Sequence, residues 1–154
     1  MTNNAAKALI IDYNHITRYN LKSSLWKIGC KVYESETESE AVTTIVTQNP
    51  GLVLLSLESG RPNVVEIIRK IKELHDCLLI VYSDTVTKDD LVECYSASAD
   101  EILVNPCSQV ERLFKYFSSS VPEVRRFCIS QYRQLVYKEA KRKNALLYRQ
   151  AVSI

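Results

Sequence analysis

Hydrophobic residues gather in five short runs along this chain, at residues 7–12, 31–35, 51–57, 77–83 and 101–105. Three of these contain ALIID, LVLLSL and LLIVYS, which are apolar almost throughout rather than alternating. A strand with one wet face alternates, so continuous runs of this length predict strands covered on both faces, as in a parallel sheet. The segments between them carry a helical period. Ile16, Tyr19 or Asn20, Leu21, Leu25 and Ile28 form one stripe, and Val65, Ile68 and Ile71 or Lys72 form another. Helix starts are marked by a capping side chain three residues before an acid: Thr37 with Glu40, Asn63 with Glu66, Thr87 with Asp90, and Ser108 with Glu111. The cap accepts a hydrogen bond from an orphan amide while the acid faces the positive end of the helix dipole. Strand and helix thus alternate five times within residues 1–117, which predicts a doubly wound α/β sheet.

The pattern changes after Phe117. Three serines, Ser118, Ser119 and Ser120, precede Pro122 and Glu123, which restart a helix. Val124, Phe127, Cys128, Tyr132, Leu135 and Val136 form its apolar stripe, beyond which basic residues dominate. The expected organisation is a domain over residues 1–117 and a basic C-terminal helical extension over 118–154.

Charge sharpens that division. The formal net charge of +2 over 154 residues hides two opposite segments. Residues 1–117 hold 12 Lys and Arg against 16 Asp and Glu, a net of −4, and residues 118–154 hold 8 against 2, a net of +6. A basic segment on an acidic body suggests an interaction element. Its candidate patch is Lys138, Lys141, Arg142, Lys143 and Arg149, with Tyr132, Tyr137 and Tyr148 interleaved. Four readings remain open for it: an amphipathic helix packed on the domain or on a second copy, a nonspecific nucleic-acid contact, a membrane-surface contact, or an acidic partner.

Other chemistry is sparse. Cys30, Cys77, Cys94, Cys107 and Cys128 lack the close spacing of a zinc or dithiol motif, so they read as small apolar residues in a reducing compartment. His15 and His75 are the only histidines. No apolar run approaches the roughly 20 residues of a membrane span, and the first one ends directly in Asp12 rather than in a cleavage site. These features predict a cytoplasmic protein with no membrane span. No nucleophile–base pair, metal cluster or Gly-rich phosphate loop stands out, so an enzyme is not expected, nor a cofactor or metal.

In open α/β sheets, chemistry gathers at the carboxyl ends of the strands. Those ends carry Asp12 and Tyr13, Ser56, Ser83, and Asn105 with Pro106. With LVLLSLESG followed by NVVEIIRKIK, then LLIVYSD, then SASADEILVNP, the chain over residues 7–117 resembles the receiver domain of two-component response regulators. The resemblance implies a flavodoxin-like fold: a five-stranded parallel sheet in order 2-1-3-4-5 with flanking helices.

Carried across residue by residue, most of the family's site is missing. Ser56 stands where the family has its phosphoacceptor Asp, and a hydroxyl with no evident base cannot form the acyl phosphate. Asp12 matches the first acid of the family's Mg²⁺ pair, but Tyr13 stands at the second, and Mg²⁺ is normally held by carboxylates plus phosphate oxygens. Asn105 replaces the family's Lys and supplies no positive charge. Ser83 keeps the hydroxyl and Pro106 keeps the proline. Ile102 replaces the aromatic that reports phosphorylation, Ser98 replaces a Gly, and Gly60 stands at a Pro position. Asp12, Tyr13, Ser56, Ser83 and Asn105 therefore form a degenerate phospho-pocket. Removing two clustered carboxylates relieves a repulsion of about a few kcal/mol per pair, so stability is expected to be indifferent to Mg²⁺. Tyr13 is expected to fill the vacated metal site with its ring, and Asp12 to cap the first helix or hydrogen-bond within the pocket.

The function these residues imply is a pseudo-receiver, a two-component signalling module that binds a protein partner without phosphorylation. The family's common output face, its fourth helix, fifth strand and fifth helix, maps to Leu91, Tyr95, Ile102, Gln109, Arg112 and Tyr116. The alternative is a regulator that contacts nucleic acid or self-associates through the basic C-terminal helix, for example as a homodimer.

Overall fold

The computed structural model describes residues 6–104. They form β1 (Lys7–Ile11), α1 (His15–Lys27), β2 (Lys31–Ser35), α2 (Glu38–Gln48), β3 (Leu52–Ser56), α3 (Leu57–Gly60), α4 (Val64–Leu74), β4 (Leu78–Ser83), α5 (Lys88–Ser96) and β5 (Glu101–Val104). The five strands make one parallel sheet in the order β2-β1-β3-β4-β5. All five expected strands are present, β2 with the expected bounds and β1, β3 and β4 a residue shorter at one or both ends. The helix expected to start at Ser108 and the extension over 118–154 lie outside the described residues.

The continuously apolar runs are buried along their whole length in β3 and β4, because alternate residues enter two different cores. Ile10, Leu52, Leu54, Leu78 and Ile80 pack on one face with Leu21 and Leu25 of α1. Leu9, Val53, Leu55, Leu79 and Val81 pack on the other with Ala41 and Ile45 of α2, Ile68 and Ile71 of α4, and Cys94 of α5. The register pairs Ile11 with Leu55, and Ser56 with Tyr82, so the polar strand ends meet along one edge of the sheet.

Two of the expected stripes need correction. In α1 only Leu21 and Leu25 are fully buried, whereas Ile16 and Tyr19 are exposed. At about 100° per residue Ile16 lies roughly 140° round the helix from Leu21, so the sequence pattern merged two faces. In α4 the buried set is Val64, Ile67, Ile68 and Ile71, with Val65 at its margin.

The caps divide in the same way. Thr37 accepts from the Glu40 amide at 3.2 Å, and Thr87 with Asp90 forms a complete capping box. Asn63 makes no side-chain cap bond. Asn14 caps α1 instead, taking the amides of Ile16 and Thr17 at 3.0 and 3.3 Å. Ser108 lies outside the described residues.

Candidate functional site

The carboxyl edge of the sheet is assembled from three connections: β1 to α1, the short α3 turn after β3, and β4 to α5. Asp12, buried at the end of β1, is the polar centre. Its Oδ1 accepts the Asn14 amide at 2.8 Å and the Ser59 hydroxyl at 3.2 Å, and its Oδ2 accepts the Tyr82 hydroxyl at 2.6 Å. Its carbonyl oxygen accepts from Arg18 Nη1 at 2.7 Å. Asp12 thus bonds within the pocket, and the cap of α1 belongs to Asn14.

Tyr13 corrects an expectation. Its ring is turned outward, with the residue 60% exposed, so it does not fill the space beside Asp12. Only its backbone faces inward, where its amide donates to Ser59 Oγ at 3.0 Å. Asp12, Ser59 and Tyr82 already satisfy one another, and an aromatic ring inserted there would displace those bonds without replacing them.

Ser56 is buried at the end of β3, and its Oγ accepts the Ser59 amide at 3.4 Å, starting the α3 turn. Ser83, buried at the end of β4, donates a short hydrogen bond to the Glu58 carboxylate. The same Oγ accepts the Thr85 amide at 3.2 Å and lies 2.8 Å from the Thr85 carbonyl oxygen. Asp12, Ser56 and Ser83 are therefore brought to one edge, and Tyr13 borders it with its ring outside. Asn105 and Pro106 lie outside the described residues.

Four contributing residues escaped sequence reasoning. Tyr82 had a signal, since a tyrosine in an otherwise aliphatic buried strand requires a partner for its hydroxyl. Glu58 and Ser59 follow Ser56 in a segment with no strong pattern, and only the turn of α3 aims them at different loops. Arg18 had none: its guanidinium bonds the Asp12 carbonyl, Glu34 Oε1 at 3.0 Å and Glu36 Oε1 at 3.3 Å. Lys22 adds a 2.9 Å pair to Glu34. Burial alone would raise the Glu34 carboxyl, but the hydrogen bonds and charges of Lys22 and Arg18 outweigh it and hold the group below its ordinary range.

The expected output face is only partly surface. Leu91 and Tyr95 are half-buried on α5, and the Tyr95 hydroxyl donates to Glu101 Oε1 at 2.8 Å. Ile102 is 9% exposed and sits in the core beneath them, so it supports that face rather than forming it. Val104, two residues on and so on the same face of β5, is half-exposed at the end of this edge strand. Gln109, Arg112 and Tyr116 lie outside the described residues, as do Lys138, Lys141, Arg142, Lys143 and Arg149.

Cys30, Cys77 and Cys94 are all buried. Burial pushes the Cys30 thiol up to about 12, and burial followed by the charges of Asp90 and Glu93 pushes Cys94 up to about 11. These thiols pack as small apolar groups, as expected; Cys107 and Cys128 lie outside the described residues. His75 Nε2 is 2.8 Å from the Pro50 carbonyl oxygen. Among the described residues no three His, Cys, Asp or Glu side chains are grouped to hold a metal ion, and no helix is long and apolar enough to cross a membrane.

Comparison with known proteins agrees with this architecture. Residues 8–117 match the model of the response regulator receiver domain. The chain is 28% identical over 98 residues to the KDP operon transcriptional regulatory protein KdpE of Escherichia coli, covering 64% of this chain and 44% of that protein. It spans less than half the length of the curated relatives it matches. Among solved structures, a response regulator from Thermotoga maritima superposes with a TM-score of 0.66 at 28% identity, over 75% of this chain and 99% of that one. The receiver domain of Ssk1 from Saccharomyces cerevisiae, crystallised with the histidine phosphotransfer protein Ypd1, superposes with a TM-score of 0.65. It covers 74% of this chain and 89% of that one, and at 14% identity it shows a shared fold.

Proposed function

The chain belongs to the response regulator receiver domain family of two-component signalling, and we propose that it acts there as a pseudo-receiver, recognised by a protein partner without being phosphorylated. The observation that carries this reading is the state of Asp12. Its carboxylate has about four acceptor sites, and the Asn14 amide, the Ser59 hydroxyl and the Tyr82 hydroxyl occupy three of them. With Tyr13 at the second acid position and Ser56 at the third, the donor set does not fit Mg²⁺, which prefers several waters and carboxylates in near-octahedral order. Ser56 is buried and its hydroxyl accepts the Ser59 amide in the α3 turn, and a neutral hydroxyl needs an activating base to act as a phosphoryl acceptor.

The partner surface is assigned to α5 and β5, with Leu91 and Tyr95 as its visible residues and Gln109, Arg112 and Tyr116 as its continuation in sequence. A signalling protein of the class that Ypd1 represents for Ssk1 is one candidate partner. A second reading rests on the net charge of +6 over residues 118–154: the basic helix contacts nucleic acid, or pairs two copies of the chain. A band shift that vanishes at moderate salt would support the nucleic-acid form, because neutralised phosphates release counterions. A doubled molar mass in solution would support the dimer.

The test of the principal reading is a titration of the whole chain with millimolar Mg²⁺, then with beryllofluoride, followed by thermal melting and amide spectra. The expected result is an unchanged melting temperature and unchanged amide signals at Ser56, Ser83 and Glu58. A melting temperature raised by Mg²⁺, or signals moved by beryllofluoride, overturns it. Amide signals are the better reporter, because Trp26 lies at the far end of α1, about 16 Å along the helix from His15.

A further inference from the structure

The four-residue turn α3 does more than connect β3 to α4. Its side chains reach both flanking loops at the carboxyl edge. Ser59 binds the β1–α1 loop, through the Tyr13 amide and the Asp12 carboxylate. Glu58 binds Ser83 at the opposite side, and Arg61, just past the turn, reaches Asp90 on α5 at 3.0 Å. Asp90 is itself the residue that closes the capping box of α5, accepting the Thr87 amide at 2.9 Å.

Ser83 has one hydroxyl proton and two acceptors within reach, the Glu58 carboxylate and the Thr85 carbonyl oxygen. A hydrogen bond to an ionised acceptor is roughly twice as strong as one to a neutral acceptor, so the carboxylate wins. With the proton committed to Glu58, the Ser83 lone pairs are free to accept the Thr85 amide. The two bonds polarise each other along one chain, from Thr85 N–H through Ser83 O–H to Glu58. Without the carboxylate, the proton turns back onto the Thr85 carbonyl and the turn after β4 loses its tie to α3.

We propose that Glu58 is a resident latch: its carboxylate supplies, from within the chain, the anionic acceptor that holds Ser83 and the β4–α5 turn in one position, and so presents α5 to a partner in one conformation at all times. This inference rests on the phosphorylation-independent reading above, and it adds the device that makes external anion binding unnecessary. Ser83 is buried and Glu58 is on the surface. The latch is therefore open to removal by a surface substitution that leaves both cores intact.

Amide hydrogen exchange on the whole chain tests it, comparing wild type with Glu58→Ala, Glu58→Gln and Ser83→Ala. Glu58→Ala and Ser83→Ala are expected to speed exchange of residues 84–91 about tenfold, the scale of one lost charge-assisted hydrogen bond, with amides of β1, β3 and α4 unchanged. Glu58→Gln, which offers a neutral amide oxygen, is expected to fall between. The double variant Glu58→Ala with Ser83→Ala is expected to add little to either single change, as for two residues sharing one interaction. Unchanged exchange over residues 84–91 in Glu58→Ala, or acceleration spread evenly over the whole sheet, overturns the latch. The wild-type response to beryllofluoride is read on the same samples. A response there defeats the phosphorylation-independent reading, whereas its absence together with unchanged exchange in Glu58→Ala defeats the latch alone.

Discussion

Single residues at this carboxyl edge answer to hydrogen-bond accounting more than to their intrinsic preferences. Asp12 would be costly to bury as a bare carboxylate, and it is tolerated because three donors from three different segments converge on it. Ser98 shows the opposite case, a residue held against its preference. It has φ of 82°, in the left-handed region that favours glycine, at the position where the receiver family has glycine. The left-handed conformation costs a non-glycine residue about 1–2 kcal/mol, and glycine gives back about 0.5–1 kcal/mol of that in chain entropy. Ser98→Gly is therefore expected to stabilise the protein by about 0.5–1 kcal/mol, raising the melting temperature by a few degrees. A lower melting temperature for that variant would show that the serine hydroxyl makes a bond worth more than the strain.

At the scale of elements, the helices are attached to the sheet by more than apolar packing. Lys72, near the end of α4, lies 2.5 Å from Asp100 Oδ2 and 2.7 Å from the Cys77 carbonyl oxygen. Asp100 also accepts the Leu79 amide at 2.8 Å. This group ties the end of α4 to the starts of β4 and β5, with side chains only 16% and 8% exposed. Removing one partner from a largely buried pair leaves the other charge uncompensated, which costs more than the pair itself contributes. Asp100→Ala is expected to cost about 3 kcal/mol in urea denaturation, and Asp100→Asn less, since its amide oxygen still accepts from Leu79. Equal losses for the two variants would show that the charge carries the whole effect and that the Leu79 bond adds nothing. The exposed pairs Arg61–Asp90 and Lys70–Glu38 belong to a weaker class, about 0–1 kcal/mol each.

For the whole molecule, buried thiols and a paired carboxylate set the pH limits in opposite directions. Cys30 and Cys94 have ordinary values of 9.0 that burial raises to about 12 and about 11. In the unfolded chain these thiols ionise above 9.0, while in the folded chain they stay protonated. Their contribution to stability is complete below that value and is lost as pH rises through the folded values. Glu34 works the other way. Its carboxyl is held below the ordinary 4.5, so its contribution is present above that value and is lost as pH falls through the lower, folded one. Melting temperature is thus expected to fall more steeply between pH 9 and 11 in wild type than in Cys30→Ala with Cys94→Ala. Glu34→Gln is expected to flatten only the acid limb. Parallel alkaline limbs for wild type and the double variant would contradict the assignment to thiols. In the same way, neither thiol is expected to react readily with alkylating reagents at neutral pH while the protein is folded.

The sequence by itself determined the sheet. Continuous apolar runs such as LLIVYS can be buried only between two helical layers, and three of them among five strands that alternate with helices admit few topologies. The same pattern brought Asp12, Ser56 and Ser83 to one edge, since strand ends in a parallel sheet share a side. Side-chain direction was decided by tertiary structure. Apolar spacing in α1 could not separate Leu21 and Leu25, which face the sheet, from Ile16 and Tyr19, which face away, because only the packed sheet distinguishes the two faces. Tyr13 points outward and Tyr82 inward for a related reason. The polar centre at Asp12 accepts a hydroxyl that arrives along β4, while the ring on the β1–α1 loop stands exposed. Glu58 and Ser59 are adjacent in the chain, yet the turn of α3 sends them to opposite loops. No one-dimensional pattern encodes that divergence, because the partners that give it meaning are 25 and 47 residues away.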